Sequence, residues 1–386
     1  MIAVFLGGAA VLLLLSSYIY SRTWSRALSV RVLFSQPHIY ANECGELTEE
    51  IENRKKQSVP IVEIGFRIPM GLVFTDAENI QESDYVYKRD LFAAEGMERI
   101  VRHYQVRGVK RGYYRPDQLS IHAPSYFFRH EYWVETLPAD HVNGMYVYAR
   151  QVDCGAVIRV LEAILGERES MRRMYEDPLV FASIRQYTMQ DPMKTINWKA
   201  SAKTGELMVN TYASVTSLNV CIILDVSADV NIRYSEDLRE LAIAGAASLA
   251  RNLAGRLESV SFVVNVSSAE NPAQTGDILP YTEFQIGRGS DALTGMEEFL
   301  ASDTALSQVT GYADMLESIA SEGRWKSRDE VYVFFSASDT PSLRGCMHRV
   351  LNGHGSGIFV SCVRSAENRG QETEGDLFIL PFSDTK

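Results

Sequence analysis

The spacing of apolar positions changes character several times along the chain. From Ile2 to Tyr20 there is no charged residue, and Leu, Val, Ala and Gly dominate. At about 1.5 Å per residue, roughly 20 residues cross a bilayer core, so the run predicts a transmembrane anchor over residues 1–21. A cleaved signal peptide fits less well: no basic segment precedes the run, and it is longer than a usual signal core. Tyr18, Tyr20 and Trp24 are placed as an interfacial aromatic belt. Arg22, Arg26 and Arg31 follow, while only Met1 precedes. The excess of basic residues on one side puts the N-terminus outside and the rest in the cytoplasm, as in a single-pass cell-membrane protein.

The next region alternates. Val59 to Ile68 places apolar side chains at every second position with Pro and Gly nearby, and Arg99 to Val109 and Leu119 to Ile121 are similar short runs. Period-two runs bounded by turn residues read as strands, and residues 30–153 are expected to form a small antiparallel β-sandwich. Arg107, Lys110 and Arg111 fit a solvated strand edge better than an anion site, because Lys and Arg protect such edges. Residues 154–210 read as a helical connector, opening with the stripe Ile158, Leu161, Ile164 and Leu165. Residues 211–386 alternate strand and helix: strands at Val220–Leu224, Val260–Val266, Val331–Phe335 and Gly357–Cys362, with helices from Leu238 to Leu257, Thr294 to Ala301 and Tyr312 to Ser321. Such alternation predicts a parallel, Rossmann-like sheet with right-handed crossovers and with ligands at the carboxyl ends of the strands.

One stretch, Asp191 to Glu206, carries its own helix punctuation. Asp191 suits an N-cap, Pro192 the first helical position and Gly205 the stop. Met193, Ile196 and Ala200 share a face, and Lys199 and Lys203 share another. We expect a short basic helix whose Trp198 buries between the two halves of the chain, because large aromatics contribute most when buried. A docking patch for an acidic partner, built from Arg185, Trp198, Lys199 and Lys203, is the alternative.

A formal net charge of −11 argues against a nucleic-acid binder, since phosphate contacts need clustered cations. The five cysteines, Cys44, Cys154, Cys221, Cys346 and Cys362, are odd in number and scattered, with neither disulfide-framework nor zinc spacing. There is no GxxxxGK[ST], HExxH or GxSxG sequence, so the expectation is a protein without catalysis of its own. His348 and His354 read as loop surface residues.

The ordered run Ile184-Arg185-Gln186-Tyr187, Asp191-Pro192, Trp198-Lys199-Ala200-Ser201-Ala202-Lys203 and Leu207-Met208-Val209 resembles the signature of the domain-of-unknown-function-58 family. The resemblance implies a von Willebrand factor A-like α/β domain after the signature. It also implies an interaction or adaptor role beside a MoxR-type AAA+ ATPase. In many von Willebrand A domains a DxSxS loop, a distant Thr and a distant Asp hold a divalent ion, and hard cations do require several oxygen ligands. Here Asp225, Ser227 and Asp229 occupy the loop, and Asp339 follows the third strand. Ser290 and Thr294 are the weak candidates for the distant Thr. The set is incomplete, so the expectation is a degenerate metal-adhesion (MIDAS-like) loop, with a weak Mg2+ site that binds an acidic residue of a protein ligand as the alternative.

Overall fold

The structure, a computed structural model, describes residues 2–75, 80–82, 85–124, 130–134, 142–174, 181–189, 191, 193–212, 219–227, 235–256, 259–267, 279–287, 290–302, 306, 308–321, 330–351, 356–364 and 377–382. The chain divides into two compact units, one of residues 1–151 with 297–305, the other of residues 152–296 with 306–386.

The first unit opens with α1 (Ile2–Thr23) and continues as strands. These are β1 (Leu28–Phe34), β2 (His38–Tyr40), β3 (Cys44–Asn53), β4 (Val59–Pro69), β5 (Leu72–Phe74), β6 (Ile80–Glu82), β7 (Tyr85–Ala94), β8 (Arg99–Gly108), β9 (Gly112–Tyr114), β10 (Asp117–Pro124), β11 (His130–Val134) and β12 (Met145–Tyr148). They form three sheets, ordered β1-β3-β8-β5, β11-β10-β4-β7-β6 and β2-β12-β9. The strict alternation of β3 and β7 sends Leu47, Ile51, Val86 and Phe92 inward to one core with Val62, Ile64 and Val106. Gly71, at φ 130°, turns the chain where any side chain would strike the Tyr114 hydroxyl.

Two expectations for this unit are corrected. No helix among the described residues is long and apolar enough to cross a membrane, so the single-pass anchor over 1–21, with the orientation built on it, is set aside. Trp24, expected at an interface, is buried in the β core. The antiparallel β character expected over 30–153 is present in two sheets that share one core, but a third sheet departs from the simple sandwich. That third sheet contains a parallel pair, β2 with β12, and the unit recruits residues 297–305.

The second unit contains α2 (Gly155–Met174), β13 (Phe181–Gln186), α3 (Trp198–Thr204), β14 (Met208–Tyr212), β15 (Asn219–Leu224), α4 (Ser235–Ala254), β16 (Ser259–Val264), β17 (Thr282–Gly287), α5 (Ser290–Ala301, whose end belongs to the first unit), α6 (Tyr312–Ser321), β18 (Glu330–Ser336), α7 (Pro341–Leu351), β19 (Ser356–Arg364) and β20 (Leu377–Phe382). The main sheet runs β17-β16-β15-β18-β19-β20, and β13 pairs separately with β14. The almost wholly apolar β15 lies at its centre, consistent with a strand covered on both faces.

The von Willebrand A-like, all-parallel architecture expected of residues 211–386 is also corrected, because the sheet is mixed. β17 returns antiparallel beside β16, with Val260 opposite Ile286 and Phe262 opposite Phe284. An antiparallel neighbour needs no crossover helix, so the alternation rule does not reach it. Its half-exposed, weakly apolar sequence TEFQIG gives little signal of a strand.

Candidate functional site

The parallel register of the main sheet brings three polar residues to one end. Leu224 pairs with Val264 on one side and Phe335 on the other, so the next residues, Asp225, Asn265 and Ser336, emerge side by side. All three are buried, Asp225 at 3% exposure and Asn265 and Ser336 at 0%. The Asp225 amide donates to the Phe335 carbonyl at 2.8 Å, which continues the ladder one step beyond the strand.

The Asp225 carboxylate is held by neutral donors. Its Oδ1 accepts from the Ser227 amide at 2.9 Å, from the Ser227 hydroxyl, and from Asn265 Nδ2 at 3.1 Å. Its Oδ2 accepts from Ser336 Oγ at 2.7 Å. Asn265 also accepts from the Val226 amide at 2.8 Å and donates to the Thr310 carbonyl at 3.0 Å. Thr310 Oγ1 donates to the Asn265 carbonyl at 3.2 Å. Burial raises the Asp225 carboxyl above its ordinary range, and its hydrogen bonds oppose that shift. Among the described residues no basic side chain pairs with it. Nearby, Tyr312 is buried with its hydroxyl unpartnered among the described residues. Burial first, then the Asp225 charge, push that phenol well above its usual range.

Of the candidate metal ligands, Asp225 and Ser227 lie together here. Asp339 is engaged by Arg344 through two bonds of 2.7 and 2.6 Å, and Asp229 lies outside the described residues. Among the described residues no three His, Cys, Asp or Glu side chains are placed to hold an ion. The threonine brought to the cluster is Thr310; Thr294 sits in α5, and the Ser290 side chain lies outside the described residues. Asn265 was missed because one asparagine closing an apolar run has no distinctive spacing. A polar residue directly after each central strand was the available signal. His348, read as a loop residue, lies in the last turn of α7, and His354 is outside the described residues.

A second place is built on the β13–β14 pair. The helix starts later than its punctuation suggests: Met193–Thr195 is a 3-10 turn, and α3 begins at Trp198. Asn197, not Asp191, is the N-cap, accepting from the Ala200 amide at 2.9 Å while its Nδ2 donates to Asn210 Oδ1 at 2.7 Å. Ser201 fastens the helix to β14, its Oγ accepting from the Met208 amide at 2.8 Å. Gly205 ends the helix at φ 77°, as expected. Asp191 instead pairs with Arg185 through both carboxylate oxygens and accepts from the Thr188 amide and hydroxyl, each at 2.8 Å. Those bonds, the Arg185 bond first, hold its carboxyl well below the usual range.

Trp198, expected to be buried, is 69% exposed. The capping bonds of Asn197 and Ser201 fix α3 with its first residue facing solvent. Met189 at 100% and Met193 at 77% exposure lie on the same connection. Lys194, Lys199 and Lys203 are exposed, and among the described residues none of them forms an ion pair.

Comparison with known proteins gives limited likeness. No curated protein matches the chain. Among solved structures, the CARDB domain of a Pyrococcus furiosus protein, in complex with di-metal ions, is 15% identical, with 32% of this chain and 88% of that one covered at a TM-score of 0.20. A non-cellulosomal cohesin from Archaeoglobus fulgidus is 12% identical over 31% of this chain and 91% of that one, TM-score 0.20. A cohesin module from a Clostridium perfringens family 33 glycoside hydrolase is 10% identical over 31% and 93%, TM-score 0.21. Residues 183–278 match the family described as protein of unknown function DUF58, a segment holding α3 with its exposed tryptophan and the Asp225 and Asn265 strand ends. That segment, rather than the whole chain, is what is similar to the DUF58 family.

Proposed function

We propose that the protein is a non-catalytic interaction or adaptor protein whose α3 surface docks an acidic protein partner. The observation that carries this reading is Trp198, 69% exposed on a capped helix beside lysines that form no ion pair among the described residues. Solvating a large aromatic and two thioether side chains along one short connection costs free energy that a partner would recover. Tryptophan is favoured at interface hot spots, and unpaired lysines around it suit electrostatic steering of an acidic surface. By family resemblance, the partner is a MoxR-type AAA+ ATPase, with which the protein assembles or remodels a complex.

Crosslinking followed by affinity purification, comparing wild type with Trp198→Ala combined with Lys199→Glu, tests the reading. Recovery of the ATPase with wild type and its loss with the folded variant supports docking at α3. Equal recovery with both moves the dock elsewhere, and failure to recover the ATPase with either removes the partner.

A further inference from the structure

The core of the first unit contains charge where its strand pattern calls for apolar side chains. Along β3 the inward positions run Leu47, Glu49, Ile51; along β7 they run Val86, Lys88, Asp90, Phe92. Glu49 is 1%, Lys88 2% and Asp90 7% exposed. β3 and β8 belong to one sheet and β7 to another, so these groups meet across the core. Tyr104 on β8 joins them.

The distances count the protons. Tyr104 Oη lies 2.5 Å from Asp90 Oδ2 and 3.0 Å from Glu49 Oε2. Lys88 Nζ lies 2.8 Å from the same Asp90 oxygen and 4.3 Å from the centre of the Tyr104 ring. A phenol carries one proton and donates one such bond at a time. With that bond given to Asp90, the Glu49 contact becomes a hydrogen bond only if Glu49 carries a proton and donates to the phenol oxygen. The chain then reads Glu49 to Tyr104 to Asp90, with Lys88 balancing the one negative charge. If Glu49 ionises, two buried carboxylates share one hydroxyl proton beside the buried Lys88 ammonium, with the Arg102 guanidinium exposed to solvent, an arrangement that burial penalises. Glu49 Oε1 has no partner among the described residues, so an ionised Glu49 would have a bare buried oxygen.

We propose that Glu49, Tyr104, Asp90 and Lys88 form a proton-dependent latch between two sheets of the first unit, closed when Glu49 holds a proton and loosened when an alkaline medium removes it. The other charged group facing Glu49 is Arg102 on β8, its register partner, whose guanidinium stacks 4.0 Å over the Phe92 ring and draws Glu49 only weakly toward ionisation. Burial first, opposed by the Tyr104 hydrogen bond and reinforced by Asp90, raises the Glu49 carboxyl from 4.5 to about 7. A folded-state value raised in this way contributes stability that is complete below the unfolded value and is lost as pH rises through the folded one.

The test is amide hydrogen exchange of the full-length protein from about pH 5 to about pH 9, corrected for intrinsic rates and read at β3, β7 and β8. Protection of these strands in wild type is expected to fall on the order of a hundredfold across the window. In Glu49→Gln, whose amide donates to Tyr104 at every pH, it is expected to stay level. Equal pH dependence in wild type and Glu49→Gln, or level protection in wild type, overturns the latch. Should Glu49→Gln fail to fold, infrared spectroscopy of the Asp225→Asn background decides. A protonated carboxyl band present near neutral pH and bleached on alkalinisation supports the latch, and its absence overturns it.

Discussion

Asn265 holds Asp225 from the neighbouring strand: its Nδ2 lies 3.1 Å from Asp225 Oδ1 while its own Oδ1 accepts from the adjoining Val226 amide at 2.8 Å. One side chain thereby fixes both the carboxylate and the backbone leaving β15. Asn265→Ala is expected to destabilise the second unit by about 2–4 kcal/mol, since it strands a buried amide, a carbonyl and a carboxylate oxygen together. Asn265→Asp is expected to cost more, because it sets a second carboxylate against a buried one. Urea unfolding of the two variants beside wild type measures the order.

Asp225 has no cation among the described residues, and burial raises its carboxyl above the ordinary value of 3.8. A group raised on folding contributes its stability below its unfolded value and loses it as pH rises through the folded value. Stability of the second unit is therefore expected to decline from acid toward neutral pH. In Asp225→Asn that slope flattens, and the variant melts no lower than wild type at about pH 8. Thermal melts across the range, followed by circular dichroism, check the sign.

Gly205 closes α3 at φ 77° with nothing within 4 Å of where a Cβ would sit. Gly205→Ala should therefore cost only the left-handed backbone, about 1 kcal/mol. Trp198→Ala, by contrast, leaves the stability within about 0.5 kcal/mol, because the ring it removes is exposed. A pair of denaturant midpoints separates the conformational cost from the surface one.

Four of the five thiols are buried, and burial pushes Cys154 up to about 11 and Cys362 up to about 12. Thiolate, not thiol, is the nucleophile. Labelling of the native protein with iodoacetamide is expected to modify Cys44 alone, with the rest reacting only after unfolding; peptide mass spectrometry reads the sites.

The sequence carried the parts of the fold that periodicity encodes. The central strands and α4 stand where apolar runs and stripes put them, and Gly205 stops its helix as its freedom at positive φ implies. What periodicity does not encode was lost. β17 shows no clear alternation, so its antiparallel return went unread. Asp191 looked like a cap in isolation, yet Arg185, six residues earlier, claimed its carboxylate. Trp198 was assigned to a core by its size alone, whereas its exposure is set by Asn197 and Ser201 bonding to β14. Asp225 was legible as an acid after a strand, but Asn265 and Thr310 reached it through register and a loop, and neither has a local signature. The most readable feature overlooked is Glu49, a charge at an inward position of a strictly alternating strand.

The first unit includes a late contribution from residues 297–305, and Arg111 donates to the Leu300 carbonyl across 189 positions of sequence. On the ribosome, where chains emerge at about 5–20 residues per second, that donor waits roughly 10–40 seconds for its acceptor. The N-terminal body consequently completes itself only after most of the second unit has been synthesised. A single cut near residue 151 would not yield two intact pieces, since it separates the first unit from part of its own structure.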